Sequence, residues 1–262
     1  PSGRGRMRVL VATLKTAMLE AWANRRSFWV QVTIMILNDL AWVAFWLLFF
    51  AEVGNVRGWN SERILVLFAI LTMVAGISLG IVANARKIGE LAADGELDAV
   101  LALPVSSLAY LLVRRVDTVM LGDLAFGPVL FVLAGEPTVE RTAIFIVASL
   151  CGAAVMVGFL VLMGALTLFI GGRGEQADLG FQAILILASY PLDIFAGATK
   201  LLLFTAVPAA FVTGLPSRLI DDFRWTTAAG LVAAAAGFVG LGAALFHVGM
   251  RRYSSGAVWT KA

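Results

Sequence analysis

The chain has 262 residues, 20 basic and 17 acidic side chains, a formal net charge of +3, and a hydrophobic fraction of 60% that leaves out its 26 glycines. Counted with glycine, the apolar share reaches roughly 70%, against about 45–50% for a soluble domain, and the mean hydropathy is +0.91. Those values exclude a water-soluble enzyme, a disordered chain and a secreted disulfide scaffold, and put the protein in a lipid bilayer.

Met7, Leu10, Val11, Leu14, Ala17, Met18, Ala21 and Trp22 recur at helical spacing, with Arg8, Lys15, Glu20 and Asn24 off the stripe. This predicts an amphipathic helix over residues 7–26, lying on the cytoplasmic membrane surface and turning into the bilayer near Arg25 and Arg26. A cytoplasmic helix packed on protein is the competing reading. No cleavable signal peptide is expected, because the first long apolar run begins at Phe28 and has the length of a full span; Met7 is a candidate native start.

A helix needs about 20 apolar residues to cross a ~30 Å hydrocarbon core. Residues 28–51, 64–83, 116–134, 142–171 and 225–250 meet that need, and a shorter run, 178–192, supplies a sixth crossing. The expected fold is therefore an all-α membrane protein with six transmembrane helices. Residues 84–107 form the longest connection, and 88–103 carries the acidic Glu90, Asp94, Glu96 and Asp98 beside an apolar stripe of Leu97, Val100 and Leu101. Pro104 stops that helix. An exposed helix with an apolar edge is a docking element for a partner; the plainer reading is a solvated linker.

The stretch from Pro191 to Ile220 contains Pro191, Pro208 and Pro216, so it cannot be one straight helix. Two readings fit. Short helices over 196–220 dip into the outer leaflet and return, covered by protein or lining a cavity; or a kinked span runs from Lys200 to Ile220, with Leu179 to Tyr190 on the cytoplasmic face. Hydropathy alone does not separate them.

Fourteen of the 20 basic residues fall on the side holding both termini, among them Arg25, Arg86, Arg114, Arg173 and Arg251, leaving Arg57, Arg63, Arg141, Lys200, Arg218 and Arg224 on the other. The positive-inside rule then makes both termini cytoplasmic. The same flanking placement accounts for the pI of about 9.4 without a nucleic-acid partner. Cys151 is the only cysteine and His247 the only histidine, which removes disulfides within the chain, cysteine-based metal sites and multi-histidine sites.

Asn38 and Asp39 sit near the middle of the first span. A carboxylate at that depth must face a cavity, a partner helix or a polar group, which marks the pair for the translocation path or a dimer interface, with hydrogen bonding inside the subunit as the alternative. Asp117 and Asp123 lie on the third span, Asp117 within reach of Arg114 or Arg115. Gly76 and Gly80 form G-x-x-x-G on the second span, and the last span carries Gly230, Gly237, Gly240, Gly242 and Gly249, which indicates close helix packing. Gly76-Ile77-Ser78-Leu79-Gly80 also matches the G-x-S-x-G nucleophile pattern, and His247 lies near the end of the last span. That pair defines a competing class, an intramembrane serine hydrolase, although the motif normally needs a strand–turn–helix elbow. A secondary transporter ranks third, since intramembrane charges are few and no inverted repeat is apparent.

Four pieces in order resemble one family. They are GWNSE (Gly58 to Glu62), IGELAADGELDAVLALPVS (Ile88 to Ser106), YPLDIFAGATKLLLFTAVPAAFVTGLP (Tyr190 to Pro216) and RRYSS (Arg251 to Ser255). Together they resemble the six-span membrane subunits of type-two ABC exporters, the ABC-2 family transporter proteins. Ala196 departs from the pattern, in which proline is common, so the turn there is expected to be looser. The resemblance implies a dimer of permeases, identical or homologous, over two cytoplasmic ABC ATPases in a bacterial cell membrane. It makes the first helix an elbow helix and Ile88 to Leu103 the site of a coupling helix, with Glu90, Asp94, Glu96, Leu97, Val100 and Leu101 as its contacts. Pro191, Pro208 and Pro216 become the frame of an outer gate between spans five and six. None of the four lysines closes a G-x-x-x-x-G-K-[ST] phosphate loop. The chain is thus expected to bind no cofactor itself, with ATP and Mg held by the partner ATPase, and to move an amphiphilic or hydrophobic solute outward.

Overall fold

The computed structural model describes residues 3–101, 103 and 105–253. Pro104, and Ser254 and Ser255 of the closing motif, lie outside the described residues. The protein is all-helical, 80% helix; among the described residues no strand forms, and an isolated bridge joins Val56 and Trp59.

Helix α1 (Gly3–Ala23) and helix α2 (Arg25–Val53) are separated at Asn24, whose side chain accepts the Ser27 N–H at 3.1 Å and so caps α2. The break falls one residue before Arg25. Of the α1 stripe only Ala17 is buried, and Met7 and Val11 are 62% and 60% exposed. Trp22, Phe28 and Trp29 meet edge to face at 4.9–6.0 Å around this corner, with Arg25 over the Trp22 ring. Such amphipathic rings belong at a membrane–water boundary.

Helix α3 (Ser61–Ala75), capped by Asn60, runs into a π-helical turn, Gly76–Ile81. This unit occupies the centre. It can do so because a Cβ on Gly76 would lie 2.4 Å from the Leu124 nitrogen, and one on Gly127 would lie 2.7 Å from the Ala69 oxygen. Backbone therefore touches backbone where α3 crosses helix α7 (Leu121–Ala134). In lipid, where apolar surface has no reason to leave its solvent, contacts of this kind decide which helices associate.

Before α7 come three short helices, α4 (Ile88–Ala93), α5 (Leu97–Leu101) and α6 (Ser107–Val113). After it, helix α8 (Val139–Ile170) begins at Thr138, which accepts the Arg141 N–H at 3.1 Å. The chain then reverses through Gly171, Gly172 and Gly174, at φ 76°, 93° and 98°, a backbone that other residues rarely adopt. Helix α9 (Glu175–Ala188) leads to a 3₁₀ turn at Leu192–Ile194, helix α10 (Gly197–Leu202), a π-turn at Ala210–Gly214 and helix α11 (Leu215–Asp221). Ala196 is extended and Gly197 takes φ +56°, so the bend there is made by glycine rather than by proline. Helix α12 (Trp225–Met250) closes the fold and makes its most extensive helix pair with α8. Gly242 sits there against the Gly158 carbonyl, while Gly230, Gly237 and Gly240 have nothing within 4 Å.

Four helical stretches are long and apolar enough to cross a membrane: α2, α3 with its π-turn, α8 and α12, at 29, 21, 32 and 26 residues. The runs expected at 116–134 and 178–192 are helical over 121–134 and 175–188 only. The first is shortened because Asp117 accepts the Val119 N–H at 3.0 Å, which closes a turn ahead of α7. Asp117 thus pairs with neither Arg114 nor Arg115; Arg114 is taken by Glu96 instead.

Candidate functional site

Asp39 and Asp123, on α2 and α7, are both buried, with their carboxyl groups within interacting reach of each other. They line a cavity of about 250 Å³ between α2, α3, α7 and α9, with Asn38, Trp42, Phe68 and Thr72. Asp39 Oδ2 and Asp123 Oδ1 are buried with no hydrogen-bond partner among the described residues. Asn38 and Asp39, singled out in the sequence, therefore do share a site. The sequence reading missed Asp123 as their third member. The signal available was a second carboxyl on another apolar run, equally in need of a partner.

The 88–103 segment is two short helices rather than one, divided by Asp94-Gly95-Glu96 with Gly95 at φ +75°. This changes what its six candidate residues can touch. Leu97 and Val100 are 1% and 2% exposed and belong to the chain's own core, together with Ile88 and Leu91. Leu101, one turn further on, is 50% exposed because α5 ends there. Asp94 pairs with Arg173 at 2.8 Å, and Glu96 pairs with Arg114. Glu90 and Leu101 face outward, as does Asp98. Two thirds of the expected apolar stripe is thus spent on this chain, leaving Leu101 as its accessible part.

Beneath this segment Gly89 lies against Gly174, where a Cβ on Gly89 would come within 2.5 Å of the Gly174 Cα. Arg86 reaches Asp178 at 3.5 Å, and the Tyr253 hydroxyl donates to the Ala92 carbonyl at 3.4 Å. The same end of the molecule thereby gathers α4, the α8–α9 turn and the end of α12.

At the opposite end, Asp193 accepts the Trp59 indole N–H at 3.1 Å and pairs with Arg218, while its carbonyl accepts from Arg57 at 3.2 Å. Asp221 pairs with Arg63 at 3.3 Å and Arg141 at 3.7 Å. Thus the α2–α3 loop, the start of α8 and both limbs of the 191–221 segment are pinned together. Pro191, Pro208 and Pro216 are all buried in that segment; Pro216 opens α11, where its missing N–H costs nothing. Thr213 donates to the Ala188 carbonyl at 2.7 Å, and Leu192 packs on Gly214, so the segment folds back against the end of α9.

Ser78 is fully buried, and its hydroxyl donates to the Val74 carbonyl at 2.6 Å and lies 3.2 Å from Met156 Sδ. It sits in the π-turn of a continuous helix, not on an elbow. The His247 Nδ1 lies 2.6 Å from the Ala243 carbonyl of its own helix. The two residues share no contact, and the serine has no access to a substrate.

No curated protein and no solved structure matches the chain. The family model for ABC-2 family transporter proteins matches residues 36–257, a stretch that takes in the carboxyl cavity, the α4–α5 loop and the proline-framed segment. The chain belongs to the ABC-2 family of transporter proteins and is a multi-pass membrane permease.

Proposed function

We propose that this permease is one half of the membrane domain of an ATP-driven exporter, carrying an amphiphilic or hydrophobic solute outward while a separate cytoplasmic ATPase binds ATP and Mg. The family match over residues 36–257 carries the reading. In it α2, α3 with its π-turn, α7, α8, α9 and α12 are the six spans, α1 is the elbow helix, and the end holding α4, α5 and α6 is cytoplasmic. Contacts at the two ends support six crossings. For α7, the Asp117 N–H meets the Gly80 carbonyl at 2.9 Å at one end, and Arg141 Nε meets the Gly135 carbonyl at 2.9 Å at the other. For α9, Asp178 lies by Arg86 while Ala188 is held by Thr213.

Residues 191–221 form the re-entrant hairpin of the outer gate in this reading, supported by Asp193 and Asp221 being anchored to one polar end. Ala198→Cys and Asp222→Cys, each in a Cys151→Ala background, should both label from outside the cell; labelling of Ala198→Cys from the cytoplasm alone would refute the hairpin. A second permease, identical or homologous, completes the pathway.

The deciding experiment is purification of the native complex from membranes, followed by transport in vesicles. An ATPase chain should co-elute, and solute movement should require ATP. Robust export by the isolated chain under a proton gradient alone would end the exporter reading.

A further inference from the structure

Asp39 and Asp123 come from helices far apart in sequence, yet they meet at 3% and 2% exposure inside an apolar cavity. One oxygen of each carboxyl, Asp39 Oδ2 and Asp123 Oδ1, is buried with no hydrogen-bond partner among the described residues, and both residues line the cavity as acceptors with lone pairs to spare. Among the described residues no lysine, arginine or histidine lines the cavity. Acidic groups held away from water without a counter-charge are costly unless something positive joins them. The rest of the wall says what kind of cation. Trp42 and Phe68, whose rings lie 6.0 Å apart, supply aromatic surface of the kind that attracts a cation, and beyond Asn38, Thr72, Ser189 and Tyr190 the remaining lining is aliphatic. A hard metal ion takes about six or more oxygens and favours carboxylates. Among the described residues no third acidic side chain, histidine or cysteine joins the two carboxyls, and the Thr72 and Ser189 hydroxyls in the wall already donate to backbone carbonyls. A primary ammonium needs only a few acceptors for its three N–H bonds and carries its own apolar chain.

We propose that the cavity between α2, α3, α7 and α9 binds the ammonium head of a lipophilic primary amine, with the carboxyl groups of Asp39 and Asp123 that line it accepting its N–H bonds. The volume of about 250 Å³ falls short of the about 300–1,000 Å³ of a drug-sized pocket. The cavity therefore takes the head and the first carbons. The tail leaves past Trp42 and Ile186, which are 40% and 60% exposed at its rim, onto the lipid-facing side of α2 and α9. This inference rests on the transport reading and narrows its substrate class from amphiphiles in general to amphiphilic amines.

The test needs no ATPase, so its failure leaves the exporter reading intact. The purified full chain in phosphatidylcholine nanodiscs is titrated with dansylcadaverine, a fluorescent primary amine, and with its N-acetyl derivative, which keeps ring and chain but loses the charge. Saturable binding of the amine is expected, at least about tenfold tighter than of the acetylated probe, since charge-assisted hydrogen bonds carry that much. Asp39→Asn with Asp123→Asn should weaken amine binding by at least about tenfold and leave the acetylated probe unchanged. Glu140→Gln, remote from the cavity, should change neither. Each single variant keeps one carboxyl in the cavity; if the double variant fails to fold, at least one single variant must still show weaker amine binding. Equal binding of the two probes, or unaltered amine affinity in the folded variants, would overturn the proposal and leave the carboxyl pair as a pin between two helices.

Discussion

Helices α2 and α3 are both long apolar runs, yet they live in different surroundings. In α3 with its π-turn, 78% of the most apolar stretch is buried, whereas in α2 the figure is 17%. Leu37, Leu40 and Leu48 on α2 are 59%, 48% and 69% exposed, while Ile64, Leu67 and Ile70 on α3 have no exposure at all. In water that contrast would destabilise α2. In a bilayer a leucine against lipid is about as well off as a leucine against protein, so apolarity does not choose the central helix. Glycine at the α3–α7 crossing does, together with the few polar groups that demand partners.

The largest expected effect tests that claim. Gly76→Leu drives a side chain into the α7 backbone, so the folded chain should be lost, whereas Leu48→Ala on the open face of α2 should extract as a monodisperse species. Fluorescence-detected size exclusion reads both. A well-behaved Gly76→Leu protein would mean that the centre tolerates repacking and that the contrast between the helices is superficial.

The same contrast recurs within α5. Leu97→Ala empties a fully buried site and should cost about 2–5 kcal/mol, read as a drop in thermal stability. Leu101→Ala should stay within about 0.5 kcal/mol of the parent while weakening ATPase co-purification. Retention of the ATPase by a folded Leu101→Ala protein would move the docking surface away from α5.

A smaller effect is expected at the polar end. Asp193→Ala strands the Trp59 indole N–H and should cost about 1–3 kcal/mol. Asp221→Ala removes two partly exposed ion pairs and should cost about 0–1 kcal/mol for each. Equal losses for the two in thermal unfolding would show that burial of the partners does not matter there.

Least of all should come from Gly240→Ala, whose Cβ meets nothing in the chain, against a clear loss of stability from Gly242→Ala beside the Gly158 carbonyl. A neutral Gly240→Ala that nonetheless shifts the oligomer toward monomer on size exclusion would locate a second permease on that face of α12.

Much of the fold is legible without coordinates, because a membrane helix must satisfy its own backbone and so announces itself as an unbroken apolar run. The long runs at 28–51, 64–83, 142–171 and 225–250 are helical as expected, and a helix break falls beside Arg25, where the charge pattern changes. What could not be read were pairings. Asp39 and Asp123 lie 84 positions apart, and nothing local links them. Asp117 is close in sequence to Arg114, yet its carboxylate satisfies a backbone N–H in its own turn while Arg114 reaches back to Glu96. Leu97 and Leu101 share a helical face by spacing, but α5 is a single turn, and its first residue is inside while its last is out. Periodicity identifies a face; it cannot say whether the chain itself or a partner covers it.

The meeting of Gly89 with Gly174 has a mechanical consequence. Two residues without side chains bring α4 and the α8–α9 turn into direct skeletal contact, and the Arg173–Asp94 ion pair clamps the joint at 2.8 Å. Nothing compressible lies between them. A displacement of α4 is therefore passed directly to the turn that joins α8 to α9, of which α8 packs on α12 and α9 leads into the 191–221 segment. Gly89→Val would wedge the joint apart, because even its Cβ would come within 2.5 Å of the Gly174 Cα.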